Sequence, residues 1–499
     1  MKSIKTHWRW LALFFIALVP RLYLLRVYDV ELSQDGFDAV NTLTILQSQG
    51  ASAVPRELID RFILHPLYML LLGAWRLLTP ASIDFYYAAR FLSTLIACIA
   101  IIVLFELTRR AFGEIAAWVA ALFLAFAPSF LWESVAILSS TLFLALYLGV
   151  LLALLQSRYR LAALLAFLSA ITRYEGVVLI ALVFIALFVS KPDRTKRANW
   201  LVWIAFALAF PFTLMLGGIV ATGNAFEFLG AQSMAAIWLR FLAPGDFFKR
   251  GAFFITQYSA LFPTLIVWLG IAGGIIALAW HRTRGTFLLL LTSALYLIFF
   301  ETLVWLNYTT LETRFLMYPG LSLLVFSGVA LAQLESKIKS AASHVLRFTF
   351  QAALAAVVAV LVVFSYQQGD LGMRFVYNMM ASQREMADEL SRIVPPNQTT
   401  SLLAYTGNSG ALAMFGQPYG MKFTFTDFRF APDDDPEQFI VDKHIQYVIY
   451  PVGNAFAKAK YPYLAQFETQ THSSVTFQPI LQFSTSTDNQ PYSIWSVSY

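Results

Sequence analysis

A short acidic stretch, Leu32–Ala39, interrupts an otherwise apolar sequence immediately after the first hydrophobic run. It carries two carboxylates three residues apart, Asp35 and Asp38. Carboxylates are costly near a bilayer and are usually retained there for a task, such as accepting a proton or holding a divalent cation. A solvated connection between two helices is also short and acidic. We interpret the stretch as an active site, with the solvated connection as the alternative.

The composition places the chain in a membrane. Of its 499 residues, 59% are hydrophobic and only 13% are charged, against about 25% charged in a soluble domain. The net charge of +6 does not indicate a nucleic-acid partner, because the basic residues form short clusters between apolar runs rather than one stripe. The single cysteine, Cys98, excludes an intrachain disulfide and a cysteine-rich metal site. The basic N-terminus lacks a small-residue cleavage site, so we expect an uncleaved first span.

Ten apolar runs are long enough to approach the thickness of a bilayer, which takes about 20 helical residues. They are Trp10–Val27, Phe91–Leu107, Ile115–Leu131, Ile137–Leu155, Val177–Ser190, Trp200–Val220, Pro263–Trp280, Thr286–Leu306, Phe315–Gln333 and Phe348–Tyr366. A shorter run, Leu161–Ile171, is expected to pack within the bundle as an eleventh span. The run Phe62–Leu78 is ambiguous, since it contains His65, Pro66 and Arg76.

The distribution of Lys and Arg decides how the ambiguous run is placed. If Phe62–Leu78 lies along the membrane surface, the basic clusters between later spans share one side with the basic N-terminus, as the positive-inside rule requires. The sequence therefore predicts about eleven spans in a cell membrane, with a cytoplasmic N-terminus and an extracytoplasmic C-terminus. Arg21, Arg26, Arg76 and Arg90 stand on the outer side against that rule, which suggests a ligand for some of them.

This topology gathers acids and bases on the outer face from several different connections. They are Asp35, Asp38, His65, Arg90, Glu133, Arg173, Glu175, Glu301 and Arg314. Each of these charges could also be a side chain that extends from a helix end to water. Their shared side predicts a polar site at the boundary between membrane and water.

The composition changes after the last span, which predicts two domains, 1–368 in the membrane and 369–499 outside it. The first outer loop, 28–90, belongs to the membrane domain and carries surface helices. The later segment has a helical pattern at Asn378–Ile393 and four strand-like runs, which predict a small α/β domain. The strand-like runs are Ser401–Ala404, Tyr447–Tyr450, Val475–Phe483 and Ser493–Val497. This domain is expected to shape acceptor access rather than chemistry.

The order of short motifs along the membrane domain resembles that of polytopic glycosyltransferases of the GT-C type. The motifs are His65–Tyr68 (HPLY), Ala89–Ser93 (ARFLS), Thr172–Gly176 (TRYEG) and Arg314–Pro319 (RFLMYP), within a resemblance that covers Trp10–Gln333. The nearest relatives are family 39, the group of protein O-mannosyltransferases and aminoarabinose lipid A transferases. The resemblance implies a mainly α, GT-C-like fold.

The resemblance also implies an activity and assigns roles to residues. A sugar on a polyprenyl phosphate would be transferred, with inversion, to a protein, lipid or glycan acceptor at the outer face. The matching catalytic base is Asp35, whose proton affinity Asp38 can adjust. Arg173, Arg314 and Arg90 can bind the departing phosphate. His65, Glu133, Glu175 and Glu301 complete the expected site.

Three departures from the relatives leave the sugar, the acceptor and any metal site open. Gly36 follows Asp35 where relatives often carry Glu, Ser139–Thr141 replaces an acidic residue for which Glu133 could substitute, and Tyr174 replaces a common Pro. Asp35, Asp38 and Glu133 are hard oxygen ligands that suit Mg²⁺ or Mn²⁺. The competing interpretation is that Asp38 caps a helix beginning near Ala39. Glu301 could face the cavity or pair with an arginine.

Two other classes of function compete with a transferase. A transporter or flippase for lipid-linked saccharides also needs arginines and many spans, but it favours structural repeats and helices broken at mid-membrane. A non-catalytic membrane scaffold would present the C-terminal domain, and it gives Asp35, Arg173 and Arg314 no reason to share a side.

Overall fold

A computed structural model describes residues 4–50, 65–190, 257–305, 313–341, 344–404, 419–428, 434–486 and 491–499, with isolated positions between some of these ranges. The chain divides into two compact units. The helical unit comprises Met1–Val27 and Thr42–Gly372, and the sheet unit comprises Tyr28–Asn41 and Met373–Tyr499. The loop with the two carboxylates thus belongs to the sheet unit, although the sequence groups it with the membrane domain.

Helices account for the described part of the helical unit. In chain order they are α1 (Ile4–Val27), α2 (Gln34–Gln49), α3 (Pro66–Leu78), α4 (Phe85–Phe112), α5 (Glu114–Ala125), α6 (Pro128–Val135), α7 (Ser139–Leu155), α8 (Tyr159–Ala170), α9 (Val177–Ser190), α10 (Tyr258–Leu261), α11 (Thr264–Trp280), α12 (Arg284–Trp305), α13 (Met317–Ala341) and α14 (His344–Leu390). Short 3₁₀ turns at Tyr174–Gly176 and Thr313–Leu316 precede α9 and α13. Both α2 and α14 continue from one unit into the other.

The predicted polytopic helix bundle is confirmed. Among the described residues, five helices are long and apolar enough to cross a membrane, or six if one bent pair forms a single span. Five shorter apolar helices of 10 to 17 residues accompany them. The exact number of eleven spans stays a prediction, because most of Trp200–Val220 lies outside the described residues.

The third apolar run is broken into α5 and α6, which meet at an angle of 61°. Pro128 is the first residue of α6, and the preceding Ala127 is extended (φ −60°, ψ 129°), as a residue before proline prefers. The break leaves carbonyl groups at the end of α5 without helical partners. Arg21 of α1 donates from its guanidinium to the Ala125 carbonyl at 3.0 Å and to the Ser134 hydroxyl at 2.8 Å. Arg21 therefore binds groups of the protein itself on both sides of the break.

The helix pair α11 and α13 packs closely through a small residue. A β-carbon at Gly273 would overlap the carbonyl oxygen of Phe326. At the adjacent Gly274, the nearest atom to such a carbon would be on the Phe326 ring at 3.5 Å, an ordinary contact. Backbones approach in this way where glycine removes the side chain between two membrane helices.

Helix α3 carries the ambiguous apolar run and packs against α4. The Tyr68 hydroxyl lies 3.1 Å from that of Ser93, and the Trp75 indole N–H donates to the Ala88 carbonyl at 2.8 Å. With 13 residues, α3 is shorter than a span. Its orientation along the membrane surface stays a prediction.

The sheet unit contains a six-stranded sheet with order β2-β1-β3-β6-β5-β4. The strands are β1 (Thr399–Ala404), β2 (Lys422–Asp427), β3 (Tyr447–Pro451), β4 (Gln470–His472), β5 (Val475–Ser484) and β6 (Pro491–Ser498). Strand β1 pairs in parallel with β2 and β3, and the other pairs are antiparallel. All four strand-like runs of the sequence are strands. The sequence did not indicate β2 and β4.

Both faces of the sheet are covered, which gives the unit its core. Met386 and Leu390, at the end of α14, pack on one face with Leu402 and Ile449. The other face buries Trp495 and further apolar side chains beneath two short helices, α15 (Pro436–Asp442) and α16 (Ala455–Lys460). The helical pattern at Asn378–Ile393 is confirmed, and most of that stretch is the C-terminal part of the 47-residue α14, which begins at His344 and ends at Leu390.

Candidate active site

The carboxylate loop ends in the first turn of α2. Ser33 is the cap of this helix, because its hydroxyl accepts the Gly36 N–H at 3.0 Å and its carbonyl accepts the Phe37 N–H at 3.2 Å. The expectation that Asp38 caps a helix beginning near Ala39 was wrong, since the helix already begins at Gln34. Serine is favoured at this position because its short hydroxyl reaches a backbone N–H three residues ahead.

The two aspartates lie on one side of α2 and are both half-buried. Asp35 is the second residue of the helix, and Asp38 follows it at a spacing of three, which places both on the same face. The free N–H groups and the dipole at a helix N-terminus stabilise a carboxylate in the first turn. Asp35 therefore lies where the helix favours a carboxylate.

A third carboxylate, which the sequence analysis did not select, lies in the same loop. Glu31 is only 2% exposed, and its Oε1 atom accepts the Ser33 N–H at 3.0 Å and the Ser33 hydroxyl at 2.7 Å. A β-carbon at Gly36 would lie 2.5 Å from this oxygen. The glycine that departs from the relatives' pattern thus leaves room for the Glu31 carboxylate.

The far end of this loop segment is bound to α14, within the same unit. The Tyr377 hydroxyl donates to Asp29 at 2.9 Å, and the rings of Tyr28 and Tyr377 lie 5.3 Å apart. Arg384, two turns further along α14, approaches the Asp29 carboxylate to 3.9 Å. The segment that carries Asp35 is therefore packed on the helix that leads into the sheet.

A second group of candidate residues centres on a buried ion pair in the helical unit. The Arg173 guanidinium binds the Glu175 carboxylate through Nε at 3.1 Å and through NH2 at 2.7 Å. Its remaining nitrogen donates to the Ser139 hydroxyl at 3.2 Å. Arg173 is 6% exposed and Glu175 is fully buried. All three nitrogens of Arg173 are thus engaged by the protein itself.

His65 and Ser139 extend this pair towards the start of α3. The His65 Nδ1 atom lies 3.0 Å from the Thr172 carbonyl and 3.5 Å from the Ser139 hydroxyl. Backbone pairing reinforces the link, since the Leu67 N–H donates to the Ile171 carbonyl at 3.1 Å. The HPLY and TRYEG motifs are therefore neighbours in space, although about a hundred residues separate them.

Tyr318, at the start of α13, lies at the centre of the charged group. Its phenol interacts electrostatically with Arg173, Glu175, Glu133 and Arg314. Tyr318 is 3% exposed and packs among aromatic rings. The ring centroids of Phe143, Tyr296 and Tyr147 lie 4.8, 5.7 and 6.2 Å from that of Tyr318. The structure thus brings residues from α6, α13 and two 3₁₀ segments around one phenol.

The other sequence-selected residues of this unit differ in their surroundings. Arg90 is 1% exposed and donates from Nε to the Val135 carbonyl at 2.7 Å, so it caps the end of α6. Glu133 is buried within α6. Arg314 is half-buried, with its guanidinium 5.5 Å from the Phe315 ring centroid. Glu301 is half-buried in α12.

The sequence-predicted residues therefore fall into two groups, one in each unit. Asp35 and Asp38 belong to the sheet unit, and the others belong to the helical unit. Sequence reasoning missed Glu31, Tyr147 and Tyr296. Glu31 could have been noticed as a third acid in a short loop, whereas the tyrosines look like ordinary residues of apolar runs.

The metal set proposed from sequence, Asp35, Asp38 and Glu133, stays a prediction. Across the described residues, no three His, Cys, Asp or Glu side chains form a group that could hold a metal ion. A structural Mg²⁺ or Mn²⁺ site takes about six oxygen ligands, of which the protein usually supplies only one or two carboxylates beside bound phosphates.

Comparison with known proteins places this arrangement in a known fold. No family model matches the chain, and no curated protein matches it in sequence. Solved structures do match. The archaeal oligosaccharyltransferase AglB from Archaeoglobus fulgidus, in complex with an inhibitory peptide and a dolichol-phosphate, superposes with a TM-score of 0.59 at 15% identity, over 90% of this chain and 70% of that one.

A second match extends over nearly the whole of both chains. ArnT from Cupriavidus metallidurans in the apo state superposes with a TM-score of 0.57 at 13% identity, over 99% of this chain and 98% of that one. The same protein bound to undecaprenyl phosphate gives a TM-score of 0.55 at 12% identity, over 99% and 97%. The chain therefore has the GT-C fold of polytopic membrane glycosyltransferases, which its motifs resembled.

Proposed function

We propose that the chain is an inverting glycosyltransferase that moves a sugar from a polyprenyl-phosphate-linked donor to an acceptor at the outer face of the membrane. The observation that carries this proposal is the buried Arg173–Glu175 ion pair near Tyr318, with the buried Glu133 and the half-buried Arg314 around the same phenol, in a chain of GT-C fold. Buried charges in membrane helices are expensive and are usually retained for function. The structures similar to this one include complexes with dolichol-phosphate and undecaprenyl phosphate, which supports a lipid phosphate as donor.

The reaction needs a base for the acceptor and a cation for the leaving group. Asp35 takes the proton of the acceptor hydroxyl while an oxygen lone pair forms the new bond to the anomeric carbon. The bond from that carbon to the phosphate oxygen breaks on the opposite side, and its electron pair stays on the phosphate. Attack opposite the leaving group inverts the anomeric carbon. A positioned base contributes about 10²–10⁴-fold to such a step.

Arg314 is the best candidate to stabilise the departing phosphate. It is half-buried, with its guanidinium beside the Phe315 ring, and guanidinium groups bind phosphate through paired charge-assisted hydrogen bonds. Arg173 was expected to share this role, but its hydrogen bonds to Glu175 and Ser139 occupy all three of its nitrogens. We therefore assign the Arg173–Glu175 pair to the framework of the site.

The alternative of a transporter rests on one feature, the broken span of α5 and α6. Unwound carbonyls in a transporter coordinate the substrate or its coupling ion. Here Arg21 binds the Ala125 carbonyl, Arg90 binds that of Val135, and the Thr94 hydroxyl binds that of Ser134. Carbonyls that are already bound by side chains support a structural break rather than a transport path.

Turnover by purified protein tests the proposal. The full chain in lipid nanodiscs would be given undecaprenyl phosphate linked to radiolabelled mannose, glucose, N-acetylglucosamine or aminoarabinose, with membranes of the source cell as acceptor. Asp35→Asn should lower kcat by about 10²–10⁴-fold and leave binding of undecaprenyl phosphate unchanged. Asp434→Asn, at an exposed turn of the sheet unit, is the matched control. Near-normal turnover by Asp35→Asn would refute the assignment of the base.

The phosphate role has its own variant. Arg314→Ala should weaken binding of undecaprenyl phosphate and also lower kcat, because the phosphate gains charge in the transition state. Arg282→Ala is the control, since Arg282 is exposed and its guanidinium donates to the Leu278 carbonyl near the end of the preceding helix, α11, at 3.0 Å. Unchanged donor affinity in Arg314→Ala would mean that another cation binds the phosphate.

A further inference from the structure

Glu31 is a buried carboxylate that the proposed reaction does not use. It is 2% exposed, in a chain segment where acidic side chains are expected to face water. Burying a carboxylate is costly unless hydrogen bonds compensate for lost hydration. Its Oε1 atom accepts two hydrogen bonds, both from Ser33. Both Ser33 donors, the N–H and the hydroxyl, therefore bind the same carboxylate oxygen, which has a lone pair for each.

The Ser33 hydroxyl donates one hydrogen bond and accepts another. Its hydroxyl has one hydrogen, which it donates to Glu31 at 2.7 Å. A lone pair of the same hydroxyl is therefore free to accept the Gly36 N–H at 3.0 Å. The Glu31 carboxylate thus fixes the rotation of the hydroxyl that caps α2. The peptide of Asp35 lies between the two residues that this hydroxyl joins, Ser33 and Gly36.

Gly36 completes the arrangement because it has no side chain. A β-carbon there would lie 2.5 Å from Oε1 of Glu31, 2.7 Å from its Cδ and 2.8 Å from the Ser33 hydroxyl oxygen. Real β-carbons do not approach an oxygen so closely. The Glu31 carboxylate and any larger residue at position 36 therefore compete for the same space.

We propose that Glu31 is the positioning residue for the catalytic base. It holds Ser33, Ser33 holds the first turn of α2, and that turn sets the direction of the Asp35 carboxylate. This inference rests on the proposed function of Asp35. It adds a residue that acts through the backbone of the loop and does not touch the substrate.

The test compares two replacements of Glu31 in the full chain. Glu31→Gln keeps a carbonyl oxygen that can accept both bonds from Ser33, so kcat should stay within about threefold of the unmodified chain. Glu31→Ala removes the acceptor and leaves the buried Ser33 donors unpaired, so kcat should fall about tenfold to a hundredfold. The Kd for undecaprenyl phosphate should change in neither variant. Glu468→Ala, at an exposed position of the same unit, is the control.

Substitution at position 36 provides an independent test. Gly36→Ala should lower kcat by a similar factor in the unmodified chain, but by less in the Glu31→Ala background, where the competing carboxylate is absent. The two changes are then strongly non-additive, as expected for residues in contact. Additive effects would overturn the steric link between the two positions.

Hydrogen exchange provides a readout that does not depend on turnover. In Glu31→Ala the amides of Gly36 and Phe37, both bound by Ser33, should exchange faster, with other peptides of the sheet unit unchanged. Unaltered kcat and exchange in Glu31→Ala would overturn the proposal. A parallel loss of kcat in Glu31→Gln would also overturn it, because hydrogen-bond acceptance would then not be the relevant property. If Asp35→Asn keeps normal turnover, the proposed function fails instead, whatever Glu31 does.

Discussion

The buried ion pair of Arg173 and Glu175 makes a quantitative prediction for the variant Glu175→Gln. The glutamine has almost the same size as the glutamate, so it removes the charge without leaving a cavity. It keeps one oxygen for the guanidinium but loses the second carboxylate oxygen, so the glutamine cannot accept both the Nη2 bond at 2.7 Å to Oε1 and the Nε bond at 3.1 Å to Oε2. Arg173, only 6% exposed, is then left as a buried cation without the carboxylate that neutralises it.

The size of the effect follows from this burial. Breaking a buried ion pair by removing one partner costs about 3–5 kcal/mol, because the remaining charge cannot regain its hydration. We therefore expect the thermal denaturation midpoint of Glu175→Gln to fall by on the order of 5–10 °C. Replacing both partners with apolar residues removes both desolvation costs and is often close to neutral. The double variant Arg173→Met/Glu175→Leu should therefore recover at least half of the loss.

Thermal denaturation of the purified full chain in detergent, followed by tryptophan fluorescence, measures both variants. Glu114→Gln is the matched control, because the Glu114 side chain is 43% exposed in its ion pair with Arg9 and such pairs contribute about 1 kcal/mol or less. A Glu175→Gln variant as stable as the unmodified chain would refute the reasoning. So would a double variant less stable than the single one.

Three further predictions concern packing, topology and the division into units. Gly273→Ala should destabilise the chain strongly because its β-carbon would overlap a backbone carbonyl, whereas the adjacent Gly274→Ala should be nearly neutral; detergent stability of the two variants measures the difference. Reporter tags in 191–199 should indicate the cytoplasm and tags after Tyr499 the outside, and a cytoplasmic C-terminus would overturn the proposed placement of the site. Deleting Met373–Tyr499 should abolish transfer while sparing binding of undecaprenyl phosphate, because the deletion removes Tyr377, which binds Asp29 of the carboxylate loop; retained transfer would contradict the packing of that loop on α14.

The structure changes the reason for which this deletion is expected to impair transfer. From sequence, the C-terminal domain was expected to affect only acceptor access, since its polar runs contain no acid–base set. In the structure, Tyr28–Asn41 belongs to the same compact unit as that domain. Impaired transfer with intact donor binding is expected on both grounds. In the structure, however, the C-terminal unit is expected to act through the segment that carries Asp35.

Sequence by itself determined the features that depend on local composition. Apolar runs of membrane length predicted the helical bundle, and strand-like runs such as Val475–Phe483 predicted most of the sheet. Hydrophobic runs and β-rich runs are properties of neighbouring residues, so they can be read along the chain. The position of Asp35 beyond the first helix and the order of the motifs can also be read along the chain, and they predicted the fold.

Only the tertiary structure decided what each charged side chain binds. Arg21 and Ser134 are 113 residues apart, His65 and Ser139 are 74 apart, and Tyr147 and Tyr318 are 171 apart. Whether a buried charge caps a helix, neutralises another charge or awaits a ligand depends on such distant partners, because burial makes an unpaired charge too costly to leave. Glu31 differs, since Ser33 and Gly36 are its neighbours in sequence. Only its burial, at 2% exposed, needed the folded chain.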